Sequence, residues 1–167
     1  ILGAPQLLGI LRGSRKYTPA DRLWALRSMQ KRYNEVGFTS IIDRGEGPEG
    51  FRTYQSLRDS GNLTIRAYVT YLISAQGTPQ DVRKEIERFP FVTGWGDKWL
   101  RVGSLKTVLD GGILIGTAYL REPYGTHTEI YGFVEPDYRG VLSVPRENLF
   151  EMAEFVGDLG WQMTAHT

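Results

Sequence analysis

The chain has no cysteine and only two histidines, His127 and His166. Disulfides and thiolate zinc sites are therefore excluded, and any metal must be held by His, Asp, Glu or a chemically modified Lys. Missing cysteine does not choose between the cytosol and an extracellular location; a soluble, cytoplasmic protein is the default expectation. An excess of one charge is also lacking, because 20 Lys and Arg face 19 Asp and Glu for a net charge of +1. Proteins that bind nucleic acid or acidic membranes usually carry a basic excess on one face, so neither partner is expected. Long apolar runs are absent too. The opening Ile1 to Leu11 stretch is broken by Gly3, Pro5 and Gly9 and has no basic segment before it, which fits neither a signal peptide nor a membrane span. A first residue other than methionine is what a processed or excised piece would show.

What is present describes an ordinary globular chain of 167 residues with 41% apolar content. That length suits one domain able to bury roughly two thirds of the surface its unfolded form exposes. Two helix starts share one device. Thr18-Pro19 and Thr78-Pro79 each put a capping hydroxyl before a proline that gives up no needed N–H, with Asp21 and Asp81 in the first turns. The first helix runs to about Val36, with Leu23, Leu26, Met29, Tyr33 and Val36 on one face and Gly37 as its left-handed stop.

A short strand over Phe38 to Asp43 follows, then a glycine-rich turn from Arg44 to Gly50. A second helix carries Phe51, Tyr54 and Leu57 on one side and ends at Gly61. The β-branched and aromatic run Thr64 to Ile73 is the clearest strand. After Pro79 a third helix has Val82, Ile86 and Phe89 as its stripe, and Leu100 to about Val108 is a third strand. From Gly111 to Gly140 no periodicity persists, and a segment that long is usually functional or mobile. A helix from about Val144 to Leu159, with Leu149, Met152, Val156 and Leu159 inward, leads through Gly160 to a last strand, Trp161 to His166.

Strict alternation of helix and strand implies right-handed crossovers and a parallel sheet, either open and doubly wound or part of a barrel. Side-chain alternation favours the barrel. Ile65, Ala67, Val69, Tyr71 and Ile73 form an apolar face opposite Arg66, Tyr68 and Thr70, and in the last strand Trp161, Met163 and Ala165 lie opposite Gln162, Thr164 and His166. Central strands of an open sheet, covered on both faces, tend to be apolar throughout.

Gly45-Glu46-Gly47-Pro48-Glu49-Gly50 fits a dinucleotide fingerprint and sits between a strand and a helix. Its two glutamates would stand beside a pyrophosphate and Pro48 removes a donor, so a tight βα turn is the better reading. Parallel strands share the edge where their carboxyl ends meet, the usual place for active sites. Asp43, Lys106, Asp110 and His166 fall there, and all can ligate metal or move protons. A lysine at a barrel mouth needs a partner, neutrality or modification. The bland alternatives are a structural salt bridge from Lys106 to Asp43 or Asp110, a His166 that is merely a satisfied polar residue, and an exposed His127.

The run Gly103-Ser-Leu-Lys106-Thr-Val-Leu-Asp110-Gly111, followed by Gly116-Thr-Ala-Tyr-Leu-Arg-Glu122-Pro123-Tyr124, resembles the central signature of the amidohydrolase superfamily. The branch it resembles contains D-aminoacylase-like and N-substituted formamide deformylase-like proteins. The strands Gly37 to Asp43 and Gly160 to His166 fit that branch in order and spacing, so the likeness covers nearly the whole chain. It implies a (β/α)8 TIM-type barrel of which residues 1–167 form the central part, about four βα units corresponding to strands 2 to 5. By the same resemblance Lys106 matches a carboxylated metal-ligating lysine and His166 a metal-ligating histidine. Asp110, Glu122 and Tyr124 match the pattern with supporting or substrate-loop roles, and Asp43 is a candidate for the same.

The resemblance further implies one or two divalent ions, zinc being expected, and a metal-activated water that attacks non-peptide amide or formamide C–N bonds of a small-molecule substrate. The H-x-H pair, a further histidine and the aspartate that such enzymes use are absent from this sequence. Two ligands do not complete a catalytic zinc site, so the chain alone is expected to be inactive and not to bind the ion tightly. Its partner would be the remainder of the barrel or an oligomeric mate that covers exposed strand edges. The rival readings are a noncatalytic half-barrel that assembles with itself or a partner, and a nucleotide-binding α/β domain using Gly45 to Gly50.

Overall fold

The structure, a computed structural model, describes residues 17–75, 77–125 and 128–167. His127 and the Ile1 to Leu11 stretch lie outside the described residues. Helix α1 (Pro19–Glu35), strand β1 (Ser40–Glu46), α2 (Pro48–Asp59), β2 (Arg66–Leu72), α3 (Pro79–Ile86), β3 (Leu100–Val108), α4 (Arg146–Asp158) and β4 (Met163–His166) alternate along the chain. All strand pairs are parallel and lie in the order β1-β2-β3-β4. This is an α/β fold of four successive units forming part of a (β/α) barrel.

Both Thr-Pro starts are reciprocal capping boxes. Thr18 and Thr78 accept from the backbone N–H of Asp21 and Asp81, whose carboxylates accept from the threonine backbones. Each box satisfies two amides that the helix itself leaves free. Gly37 ends the α1 turn at φ +86°, a conformation that a Cβ would strain. The α1 stripe is narrower than its spacing predicts. Leu26 and Gln30 are buried and Leu23, Met29 and Tyr33 half-buried, whereas Val36 is 71% exposed. Gln30 replaces an apolar residue in the stripe because its amide bridges two backbone groups of the α2–β2 connection, donating to Asn62 O and accepting from Thr64 N–H.

The apolar face of β2 is buried throughout, from Ile65 to Ile73. Against it pack Phe51, Tyr54 and Leu57 of α2, Val82 and Ile86 of α3, and Met152, Phe155 and Val156 of α4. Phe89 lies beyond the end of α3 yet stays in the core, stacked on Tyr71 at 4.5 Å and 4°. Trp161 likewise precedes β4 and meets both rings edge-on. Phe155 is buried although the periodic reading of α4 passes over it.

The glycine-rich turn is the main departure from the sequence reading. β1 continues through Arg44 and Gly45 to Glu46, and α2 begins at Pro48, so only Gly47 lies outside regular structure. The extension is possible because the register slips: Asp43 pairs with Val69 but Glu46 with Tyr71, so Arg44 and Gly45 together oppose Thr70. On the other side Val69 pairs with Val102 and Tyr71 with Leu105, so Gly103 and Ser104 oppose the same threonine. Two bulges therefore flank one residue, and bulges increase local twist and bending. Gly103 is required there, since a Cβ would press into the side chains of Tyr68 and Thr70.

Candidate metal-binding face at the carboxyl end of the sheet

Residues paired across parallel strands point to one face. Lys106 pairs with Leu72 on one side and Thr164 on the other, and Val108 pairs with His166. Thr164 and His166 are two apart, so Lys106, Thr164 and His166 share the face turned away from the helices. Ser104 joins them, its hydroxyl 2.9 Å from that of Thr164. The face turned away from the helices is thus mixed at the carboxyl end, with Ser104, Lys106, Thr164 and His166 beside the exposed Leu72 and Val108.

Lys106 is half-buried, and its amine makes neither a hydrogen bond nor an ion pair among the described residues. The salt bridge to Asp43 or Asp110 considered from the sequence is not formed. Asp110 instead pairs with His166, Oδ1 lying 3.3 Å from Nδ1, while its Oδ2 accepts the Tyr119 N–H at 2.8 Å. The Asp110 side chain is only 6% exposed and that of His166 47%. A buried carboxylate must be partnered, and these contacts tie β4 to the first turn of the long β3–α4 connection. Two backbone bonds reinforce the tie: Leu109 N–H donates to His166 O and Ser143 N–H to Leu109 O.

Asp43 belongs elsewhere. Because β1 runs three residues further than the pattern suggests, Asp43 is mid-strand, in register with the buried Val69, and accepts from the Tyr54 hydroxyl of α2 at 2.9 Å. It therefore faces the helix layer and does not meet Lys106, Asp110 or His166. With Glu46 and Tyr54 it lines a cleft of about 680 Å³ between α1, β1 and α2. That cleft opens on the face opposite the metal-type donors. Burial and the Asp43 charge raise the Glu46 pKa above its usual 4.5, and burial together with Asp43 pushes the Tyr54 hydroxyl well above its ordinary range.

A carboxyl group whose pKa is raised by folding favours the folded state at acid pH, and that contribution fades as pH climbs through the raised value. Glu46→Gln should therefore leave stability unchanged well below pH 4.5 and increase it at pH 7, by less than about 1 kcal/mol because the group is still partly hydrated. Urea midpoints at the two pH values check this, and an equal change at both would refute it.

Glu46 also settles the glycine motif. A Cβ on Gly50 would overlap the Glu46 carboxylate, so the amino end of α2 is already occupied by the chain's own anion. Gly45 and Gly47 have no neighbours that demand glycine. A pyrophosphate would have to displace Glu46 to reach the place where such motifs bind it.

The described residues of segment 111–140 hold two short 3-10 turns, Ile113–Ile115 and Thr128–Tyr131. Tyr124 braces it, with its hydroxyl donating to Ala118 O at 2.8 Å and its ring beside those of Tyr131 and Tyr138. Burial is the main reason its hydroxyl pKa is raised. Glu122 is exposed. No local pattern links Asp110 to His166, which lies 56 residues away, or gathers the Asp43–Glu46–Tyr54 group, whose Glu46 lies beyond a bulge.

The donor types fit part of a metal site. Among the described residues the half-buried Lys106 amine has no counter-ion, and the His166 imidazole is oriented by a carboxylate. Among the described residues, however, no cluster of three His, Asp or Glu could hold an ion.

The model of the amidohydrolase family matches residues 3–167. No curated protein matches the chain. Two crystal structures of uncharacterized metal-dependent hydrolases have the same fold. The one from Pyrococcus horikoshii OT3 is 22% identical with a TM-score of 0.65, covering 92% of this chain and 29% of that one. For the one from Pyrococcus furiosus the identity is 21%, the TM-score 0.65 and the coverage 92% and 30%. This chain thus spans less than a third of the length of those structures. With a family match over almost its entire length on a fold of four consecutive βα units, the chain belongs to the amidohydrolase family.

Proposed function

We propose that residues 1–167 are the central part of a metal-dependent amidohydrolase acting on non-peptide amide or formamide C–N bonds, with Lys106 and His166 as two of its metal ligands. The observation that carries the proposal is the placement of both side chains on one interior face at the carboxyl end of adjacent strands, beside a buried Asp110 that fixes the histidine. Carboxylation of the Lys106 amine would turn a cation into an oxygen ligand, and no counter-ion among the described residues holds the amine against that change. Asp110 orients the imidazole, as carboxylates that bond ligating histidines do. A divalent metal, zinc by family resemblance, supplies Lewis acidity and lowers the pKa of water. Glu122 and Tyr124 serve the β3–α4 connection that borders the face, and Asp43 takes no part.

The remaining ligands would come from the rest of a barrel, so the chain by itself is expected to bind zinc weakly and to hydrolyse no N-acyl or N-formyl amine. Titration calorimetry with zinc and an amide-hydrolysis assay on the chain test this. Metal-dependent turnover by the isolated chain would overturn the fragment reading. In a longer polypeptide carrying this segment, Lys106→Ala and His166→Ala should each lower metal content and reduce turnover at least ~100-fold. Variants that keep both would overturn the ligand assignment.

A further inference from the structure

Lys106 and His166 sit on different strands, so their separation depends on how β4 is set against β3. Backbone bonds alone do not specify that setting, because a slipped strand offers the same N–H and C=O groups. β4 has only four residues, Met163–His166, and a slip of one residue turns every side chain to the other face. His166 would then leave the face it shares with Lys106.

Three hydroxyls oppose such a slip, all at the point where β3 bulges. Leu105 N–H donates to Gln162 O, and an even parallel ladder would return a bond from Gln162 N–H to Gly103 O. A side chain takes its place. The Thr93 hydroxyl lies between the two groups, donating to Gly103 O at 2.8 Å and accepting from Gln162 N–H at 2.9 Å. Thr93 is itself held beside β3 by backbone bonds from Gly94 N–H to Val102 O and from Val102 N–H to Trp95 O. On the face turned from the helices the Ser104 hydroxyl meets that of Thr164 at 2.9 Å, and Thr164 donates onward to Leu105 O at 3.3 Å. Ser104 is 3% exposed. A slip that carried Met163 or Ala165 into the place of Thr164 would therefore leave a buried hydroxyl without its partner. Thr164 is the residue in register with Lys106, and His166 follows it by two.

We propose that Thr93, Ser104 and Thr164 form a hydroxyl clamp that fixes the register of β4 on β3 and so sets the spacing of Lys106 and His166. They are positioning residues, acting through the two side chains they align. The consequence for metal binding rests on the ligand roles proposed above for Lys106 and His166, whereas the register itself does not.

Amide exchange on the chain tests the clamp directly. Thr93→Val and Thr164→Val keep the β-branched shape and remove only the hydroxyl. Each should speed exchange of the Gln162, Leu105 and Leu109 amides, which bond across the junction with the β4 segment, by at least ~10-fold, the effect of losing one hydrogen bond. The Ala67 amide, bonded to Trp99 O, should keep its rate, and Thr93→Ser and Thr164→Ser should restore the slow exchange. In a longer polypeptide carrying this segment, the two valine variants should weaken zinc affinity by about 10–100-fold, and the serine variants should recover it. Lys106→Ala is the reference in that polypeptide. If it keeps full zinc affinity, the ligand assignment fails and the exchange rates alone decide the clamp. If Lys106→Ala loses zinc while both valine variants hold it, the clamp is overturned. Unchanged exchange at Gln162, Leu105 and Leu109, or an equal rise at Ala67, would overturn it as well.

Discussion

Replacing Phe51 with alanine should cost about 3–5 kcal/mol of folding stability, the range for emptying a fully buried aromatic site. Phe51 is 1% exposed and lies where α2 meets the sheet, with Tyr71, Phe91 and Trp95 at ring-centroid distances of 5.6, 6.0 and 6.2 Å. Tyr71 in turn stacks on Phe89 and touches Trp161. Removing the first ring therefore loosens an aromatic chain that reaches from α2 to the approach to β4, and the surrounding strands cannot collapse to fill the gap. Domains of this kind have on the order of 5–15 kcal/mol in hand, so the variant should unfold at far lower urea or precipitate. Phe51→Leu keeps most of the volume and should cost less than half as much. A Phe51→Ala loss below about 1 kcal/mol would show that the aromatic chain is not the centre of the core.

Asp110→Ala should produce the second large effect, and it separates structure from function. The substitution leaves the Tyr119 N–H without its acceptor and frees His166 from the carboxylate that orients it. Loss of a buried acceptor costs about 1–3 kcal/mol. The cost should appear locally, as faster amide exchange at Tyr119 and a change in the His166 imidazole nitrogen resonances, while exchange within β2 stays slow. Asp110→Asn keeps an acceptor for Tyr119 and should recover most of the stability. If Asp110→Ala alters neither the Tyr119 exchange rate nor the His166 resonances, the carboxylate does not hold the loop to β4.

Both effects concern residues whose importance was unequally visible beforehand. Phe51 announced itself through its spacing with Tyr54 and Leu57, since helical period alone places three large apolar residues on one side. Lys106 and His166 were also legible, because a period of two assigns side chains to faces once the strand is known. Asp43 differs: it pairs with Val69 ahead of the doubled residues opposite Thr70, so the same period turns it toward the helices, and β1 runs on past it to Glu46.

Local patterns in the chain specify the order of elements, the capped starts at Thr18 and Thr78, the buried face of β2 and the mixed, partly polar opposite face. These are local properties, set by hydrogen bonds and side-chain periods within a few residues. Tertiary structure alone decided that Asp110 bonds His166 and not Lys106, that Asp43 and Glu46 turn toward the helices, and that Glu46 occupies the end of α2. Each of these depends on strand register and on the approach of segments far apart in the chain. No local pattern encodes the bulges that set that register, because they arise only when β1, β2 and β3 lie side by side.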